Sequence, residues 1–246
     1  MCMTTCYTAA PMDNIWLALA LVISYLCGSI PFGLLIGWAR GVDLRTVGSG
    51  NIGATNCGRV LGKPWGTACF LLDLIKGFVP VFVAGLALGL IGREARGPAT
   101  TLEWGWLLVA AMAVLGHVFP IWLGFRGGKG VATGLGAILG VWPYLTLPAL
   151  GAAATWVLFA ATLRYVGLAS VVAVTFLPIY VLLGIWLMGQ PTARAAPYLT
   201  ITCGMSLLII WRHRGNLRRT WEGTESRLGN QVSVASSAHG QAGAGS

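Results

Sequence analysis

The stretch IWLALALVISYLCGSIPFGLLIGW, Ile15 to Trp38, carries no charged side chain. A bilayer core is crossed by about 20 apolar residues, so this run reads as a membrane-spanning helix. It is too long for the h-region of a signal peptide, and no basic n-region precedes it. Ser24, Gly28, Ser29 and Gly33 are small enough to let neighbouring helices approach, and Pro31 predicts a bend. The whole chain is built in the same way. Of its 246 residues 56% are hydrophobic and 9% charged, where soluble domains carry about a quarter charged residues. The expected fold is all-α and polytopic, with about seven transmembrane helices in one domain, residues 1–228. Residues 229–246, mostly serine, alanine, glycine and glutamine, read as a disordered tail.

Further spans are expected near Trp65–Ile91, Trp104–Leu123, Ser170–Met188 and Pro197–Trp211. Ala132–Leu163 is interrupted by Pro143 and Pro148. It could be one tilted span; two short crossings with a turn near 143–148 fit the charges better. Asp73 and Lys76 lie three apart, on one helical face. Charges at that depth must pair or face a polar interior; an ion pair is favoured over direct chemistry. His117, near a helix end, reads as a structural group. The six cysteines show no CxxC or zinc spacing.

The net charge of +9 would suggest nucleic acid in a soluble protein. Here the basic residues fall between apolar runs, and no nucleic-acid partner is expected. Seven crossings place segments 40–64, 124–131 and 212–228, with Arg164, on one side. That side collects twelve of the sixteen Lys and Arg residues. The other side has Arg93, Arg96 and Arg194, and Lys76 lies within the membrane. Basic loops stay cytoplasmic, so the N-terminus is expected outside and the C-terminus inside.

The three polar segments on the basic side carry the chemistry. The glycine turn FRGGKG, Phe125–Gly130, sets Arg126 and Lys129 among Gly127, Gly128 and Gly130, whose N–H groups could meet an anion. The first segment adds Ser49, Asn51, Asn56 and Arg59, and the third His213 and Asn216. Guanidinium forks, a lysine charge and small hydrogen-bonding groups suit phosphate. This side has no acidic pair for two-metal chemistry, and the glycine turn lacks Walker A spacing. No cofactor or metal is expected. Phosphoryl or acyl transfer, anion transport and a lipid-regulated structural role stay open. The convergence of three dissimilar polar segments, without convincing internal repeats, favours an enzyme.

GSGNIGATN (Gly48–Asn56, with Arg59 following), GHVFPIWLGFRGGKGVAT (Gly116–Thr133) and RHRGNLRRTWEGTE (Arg212–Glu225) occur in that order. Together with CGSIPFG (Cys27–Gly33), they resemble the motifs of the bacterial acyl-phosphate:glycerol-3-phosphate acyltransferases. The resemblance covers residues 15–228. It implies seven membrane helices in the bacterial inner membrane, a cytoplasm-facing site, no metal and a monomer. It also implies transfer of an acyl group from acyl phosphate to the 1-hydroxyl of glycerol 3-phosphate, giving lysophosphatidic acid, a membrane lipid, and phosphate. The family's site residues would fall on Ser49, Arg59, Lys129, His213 and Asn216. A further family serine would fall at Gly167, with Ser170 nearby. Neither His117 nor His213 is followed, after four intervening residues, by an aspartate. The acid–base pair of soluble glycerolipid acyltransferases is therefore missing. Positioning is the favoured role for His213, with general base as the alternative.

Overall fold

The first apolar run is broken by Pro31. In the computed structural model, which describes residues 11–92, 99–191 and 194–229, it forms two helices, α1 (Pro11–Ser29) and α2 (Phe32–Ala39). Proline has no N–H to donate and its ring displaces the preceding turn. At the break the Ile30 carbonyl accepts from Phe32 N at 3.1 Å. Lys76 Nζ donates to it at 2.6 Å and is paired with Asp73 Oδ1 at 2.8 Å. Both charged side chains are buried. The expected ion pair is therefore tied, through Lys76, to the backbone where Pro31 breaks the helix.

The polar segment 40–64 contains a helix, α3 (Ala54–Leu61), which the loop-like composition concealed. α4 (Lys63–Ala87) follows after a single residue, Gly62. Then come α5 (Thr101–Val118), α6 (Val131–Gly140), α7 (Thr146–Leu163), α8 (Val166–Leu187), α9 (Ala195–Arg212) and α10 (Arg214–Trp221). A capping box starts α5: Thr100 Oγ1 accepts from Glu103 N, and Glu103 Oε2 accepts from Thr100 N. The region 132–163 is two helices joined by a turn at 141–145, as the two prolines suggested.

Among the described residues, six helical segments are long and apolar enough to cross a membrane. α6 alone is too short, since ten residues rise about 15 Å against a hydrocarbon core of about 30 Å. The turn that follows it, 141–145, leads into α7. Tyr144 packs against Tyr198 at 5.6 Å between ring centroids, beside the start of α9, and Arg194 lies over its ring. At the other end Lys129, just before α6, contacts Asn216, just after α9.

Small residues set the packing between helices. A methyl on Gly28 would lie 2.1 Å from the Ala113 carbonyl oxygen, and one on Gly116 equally close to that of Tyr25. α1 and α5 therefore run in near backbone contact. Gly77 meets Thr133 and Gly140 meets Val81 in the same way, joining α4 to α6. α4 is antiparallel to α5: Trp106 Nε1 donates to the Val81 carbonyl at 2.7 Å, while Asp73 and His117 meet near the opposite end. The bundle interior is built from Val81, Trp106, Val109, Val114, Val181 and Tyr198. Outside, Leu71, Val83, Leu158, Ile179 and Leu207 are about half exposed, as a lipid-facing surface requires.

The sequence placed Arg194 among the loop residues of the side opposite Lys129. It is instead buried, donating to Glu103 Oε1 together with Tyr198. This cluster ties α5, α9 and the 141–145 turn at the end of the bundle far from Lys129. Arg93 and Arg96, and the tail from 230 onward, lie outside the described residues.

Candidate active site

At the Lys129 end, α3, α6, α7, α8 and α9 enclose a cavity of about 400 Å³. Its polar mouth holds Ser49, Asn51, Arg59, Lys129, His213, Asn216 and Glu225. Deeper in, the walls are apolar, with Leu135, Ile138, Val174, Leu177, Met205 and Ile209. A polar head beside a long greasy slot is the shape of an amphiphile.

Asn216 is the junction of the polar mouth. Lys129 Nζ donates to its Oδ1, and its Nδ2 donates to Glu225 Oε1 at 2.7 Å. Arg219 Nε donates to the other carboxylate oxygen of Glu225, again at 2.7 Å. Burial pushes Lys129 down to about 8; Arg219, Arg212 and Arg59 push in the same direction and Glu225 opposes them. A lysine in this state is a compact charge held among other cations, and it gains most when an anion arrives.

His213 sits at the joint between α9 and α10, 2% exposed. The Ile209 carbonyl lies 2.8 Å from its Nδ1. A carbonyl can only accept, so Nδ1 carries the ring proton and Nε2 is a bare acceptor. Burial and the Lys129 charge hold the ring down at about 4, while the bond to Ile209 opposes them. At neutral pH the imidazole is uncharged and can accept a hydroxyl hydrogen.

The glycine turn does something other than the sequence suggested. Gly127 and Gly128 donate their N–H groups to the carbonyls of Val118 and His117, at 3.1 Å each. Their own carbonyls accept from Arg212, at 2.8 and 3.2 Å. These amides are used up in fastening the turn to α5 and α9, and neither residue lines the cavity. Gly128 lies flat under the His117 ring, where a methyl would come within 2.1 Å of Nε2. Arg126 is exposed and also outside the lining. Only Lys129 and Gly130 of the turn reach the cavity.

Asn56 faces the cavity but is occupied. Its Oδ1 accepts from Ser49 N at 2.8 Å, and its Nδ2 donates to the carbonyls of Leu44 and Val47. It holds the 44–49 loop so that Ser49 and Arg59 stand at the mouth. Asn51 similarly accepts from Gly53 N at 2.9 Å. The Ser170 hydroxyl donates to the Val166 carbonyl and accepts from Trp156 Nε1. His117 lines the cavity and shares a hydrogen bond with Thr133 through Nδ1, which keeps its structural reading. Gly167 presses on Asn216, and a methyl there would lie 2.7 Å from Asn216 Cβ.

Glu225 escaped the sequence reading, which gave no role to Glu222 or Glu225. The structure separates them. Glu222 pairs with Arg218 in solvent, whereas Glu225 turns inward with 7% of its side chain exposed. The segment carrying it is fastened to the α7–α8 corner: Leu228 N donates to the Arg164 carbonyl at 2.6 Å, and Arg164 Nη2 to the Leu228 carbonyl at 2.9 Å.

The same pieces recur in known proteins. A glycerol-3-phosphate acyltransferase of Rhodopseudomonas palustris (strain BisB5) is 43% identical over 222 residues, 89% of this chain and all of that one. The crystal structure of PlsY (YgiH), an integral membrane glycerol 3-phosphate acyltransferase, in its glycerol 3-phosphate form superposes with a TM-score of 0.71 at 38% identity. It covers 87% of this chain and 96% of that one. The lysophosphatidic acid form gives the same TM-score and coverage at 36% identity. Residues 18–223, which include the Ser49–Arg59 loop, the glycine turn and the His213–Asn216 joint, match the family described as glycerol-3-phosphate acyltransferase, and the chain belongs to that family.

Proposed function

We propose that the protein transfers an acyl group from acyl phosphate to the 1-hydroxyl of glycerol 3-phosphate, giving lysophosphatidic acid and inorganic phosphate. The observation that carries this reading is the contact between Lys129 and Asn216. It joins two of the three polar segments at the mouth of a mostly apolar slot. Arg59 and Lys129 hold the phosphates, with Ser49 beside them. The acyl chain lies in the slot between α6, α8 and α9. Nε2 of His213 accepts a hydrogen bond from the glycerol hydroxyl and aims its oxygen at the acyl carbon. The new C–O bond forms as the bond from the acyl carbon to the phosphate oxygen breaks. A phosphate oxygen of the donor takes the hydroxyl proton. Catalysis is then mostly positioning and charge stabilisation.

The chain crosses a bacterial inner membrane seven times, with the N-terminus outside and the site facing the cytoplasm. The excess of basic residues at the site end supports this orientation. The placement of Tyr144 beside the start of α9 supports a full crossing by α6 and its turn. The test supplies purified protein with glycerol 3-phosphate and either acyl phosphate or an acyl thioester. Lysophosphatidic acid formed with acyl phosphate alone is the expected result. No product with either donor would overturn the reading in favour of anion transport.

A further inference from the structure

A ridge of four side chains runs from the end of α9 along α10. Trp211, Arg214, Arg218 and Trp221 follow one another at spacings of three, four and three, which keeps them on one helical face. The joint between the helices does not interrupt it: His213 N donates to the Ile209 carbonyl at 3.1 Å, and Leu217 N to the His213 carbonyl at 3.0 Å. All four side chains are exposed, Trp221 at 93%. The Arg214 guanidinium lies 4.5 Å from the Trp211 ring centroid. Arg218 holds Glu222 in a pair whose arginine side chain is 80% exposed, and such a pair is weak. Arg212 clamps the neighbouring glycine turn, where Trp122 and Arg126 are exposed as well.

The level of this face in the bilayer follows from the other side of the helix. Asn216 packs against Gly167, in the first turn of α8, and Trp211 lies in the last turn of α9. α10 therefore starts where two spans end. Trp221 is five residues beyond Asn216, a rise of about 7.5 Å at most. The headgroup layer on each side of the hydrocarbon core is about 5 to 7.5 Å thick, so the ridge runs within that layer. Tryptophan is favoured there, because its ring is amphipathic. Arginine there is drawn to anionic lipid. A soluble partner would have to reach the same side chains through the headgroups.

We propose that this face of α10 docks on anionic lipid headgroups of the leaflet at the site end, with Trp221 seated among them and Arg214 and Arg218 holding lipid phosphates. The opposite face of the same helix carries Asn216, which meets Lys129. An anionic surface therefore steadies the Lys129–Asn216 contact from outside, and turnover depends on lipid charge. The docking rests on this geometry alone; its effect on turnover rests on the acyl-transfer reading above.

The test uses the full chain in vesicles of phosphatidylcholine alone or mixed with phosphatidylglycerol. In a variant without native cysteines, a nitroxide attached through Trp221→Cys reports its access to lipid-soluble oxygen and to a water-soluble nickel complex. Oxygen access relative to nickel access should be higher in the mixed vesicles. Equal values in the two vesicles, or nickel access alone in both, would overturn the docking in favour of a face open to water. The second readout is kcat/KM in mixed over pure vesicles, for wild type and for Arg214→Gln/Arg218→Gln. Folded fraction cancels in this ratio, and repulsion of glycerol 3-phosphate by the anionic surface is common to both proteins. The ratio should fall in the variant by up to about fivefold per arginine. An unchanged ratio would overturn the dependence of turnover on lipid charge. Absence of product from wild type in either vesicle would overturn acyl transfer, and the nitroxide would still decide the docking.

Discussion

Lys129 should give the enzyme a basic limb at unusually low pH. A free lysine titrates near 10.4, but burial among Arg59, Arg212 and Arg219 brings this one to about 8. The protonated amine holds phosphate, so its loss on the alkaline side should lower kcat/KM for glycerol 3-phosphate, which reports the free enzyme. With a value of about 8, roughly nine-tenths of the sites carry the charge at pH 7 and roughly one-tenth at pH 9. An ordinary lysine would be almost wholly charged across that range. The profile should therefore fall by up to about tenfold per unit above the midpoint. Two variants separate Lys129 from other groups. Lys129→Arg carries a charge that does not titrate in this range, so its profile should lose the limb and lie on a lower plateau. Glu225→Gln removes the group that opposes the other cations, and the limb should move to lower pH. The assay is kcat/KM against pH at fixed ionic strength, with folding checked by thermal melting. A wild-type profile flat to pH 10, or a limb that survives in Lys129→Arg, would refute the argument.

His213→Asn should retain part of the activity, and its acidic limb should match the wild type, because the ring is held at about 4 while phosphate groups titrate near 6. A lost limb together with a rate reduction of about 10² to 10⁴ would make His213 the general base instead. Gly167→Ala should push Asn216 away from Lys129, since the added methyl falls 2.7 Å from Asn216 Cβ. A loss of kcat/KM by tenfold or more with a normal melting profile is expected, and unaltered kinetics would show that Asn216 can yield. In a variant without native cysteines, a cysteine at position 96 should label from outside intact cells and one at 214 should not; the reverse pattern would invert the topology. Removing residues 230–246 should leave turnover nearly unchanged, which an assay of the truncated protein checks directly.

Much of the architecture was legible because membranes make strong demands on sequence. Length and apolarity mark the spans, and the three-residue spacing of Asp73 and Lys76 announced their pair. Pro143 and Pro148 marked the turn between α6 and α7. The same composition hid other features. The segment 40–64 is rich in glycine and small polar residues, and its helix shows only in the amphipathic run Ala54–Leu61. The Thr100–Glu103 spacing was a readable capping signal, yet nothing local tells that the Glu103 carboxylate also receives Arg194. The glycine turn looked like an anion cradle, but whether its amides are free depends on carbonyls of α5, which no spacing reveals. Glu222 and Glu225 are three apart beside similar neighbours. The inward turn of Glu225 rests on contacts with Asn216 and Arg219 and on the fastening of Leu228 to Arg164, which no spacing reveals.

That fastening bears on how the enzyme comes into being. Lys129 and Asn216 are 87 positions apart, and Glu225 arrives after both. A chain still being threaded into the membrane, with α1–α8 placed and α9 unmade, has a glycine turn lacking Arg212 to clamp it and a lysine with no amide to meet. Such an intermediate holds a greasy trough open to lipid but lacks the groups of the third polar segment that would complete the phosphate site. Competence waits on the segment 212–228, so chains terminated before it would be inert in the bilayer rather than partly active.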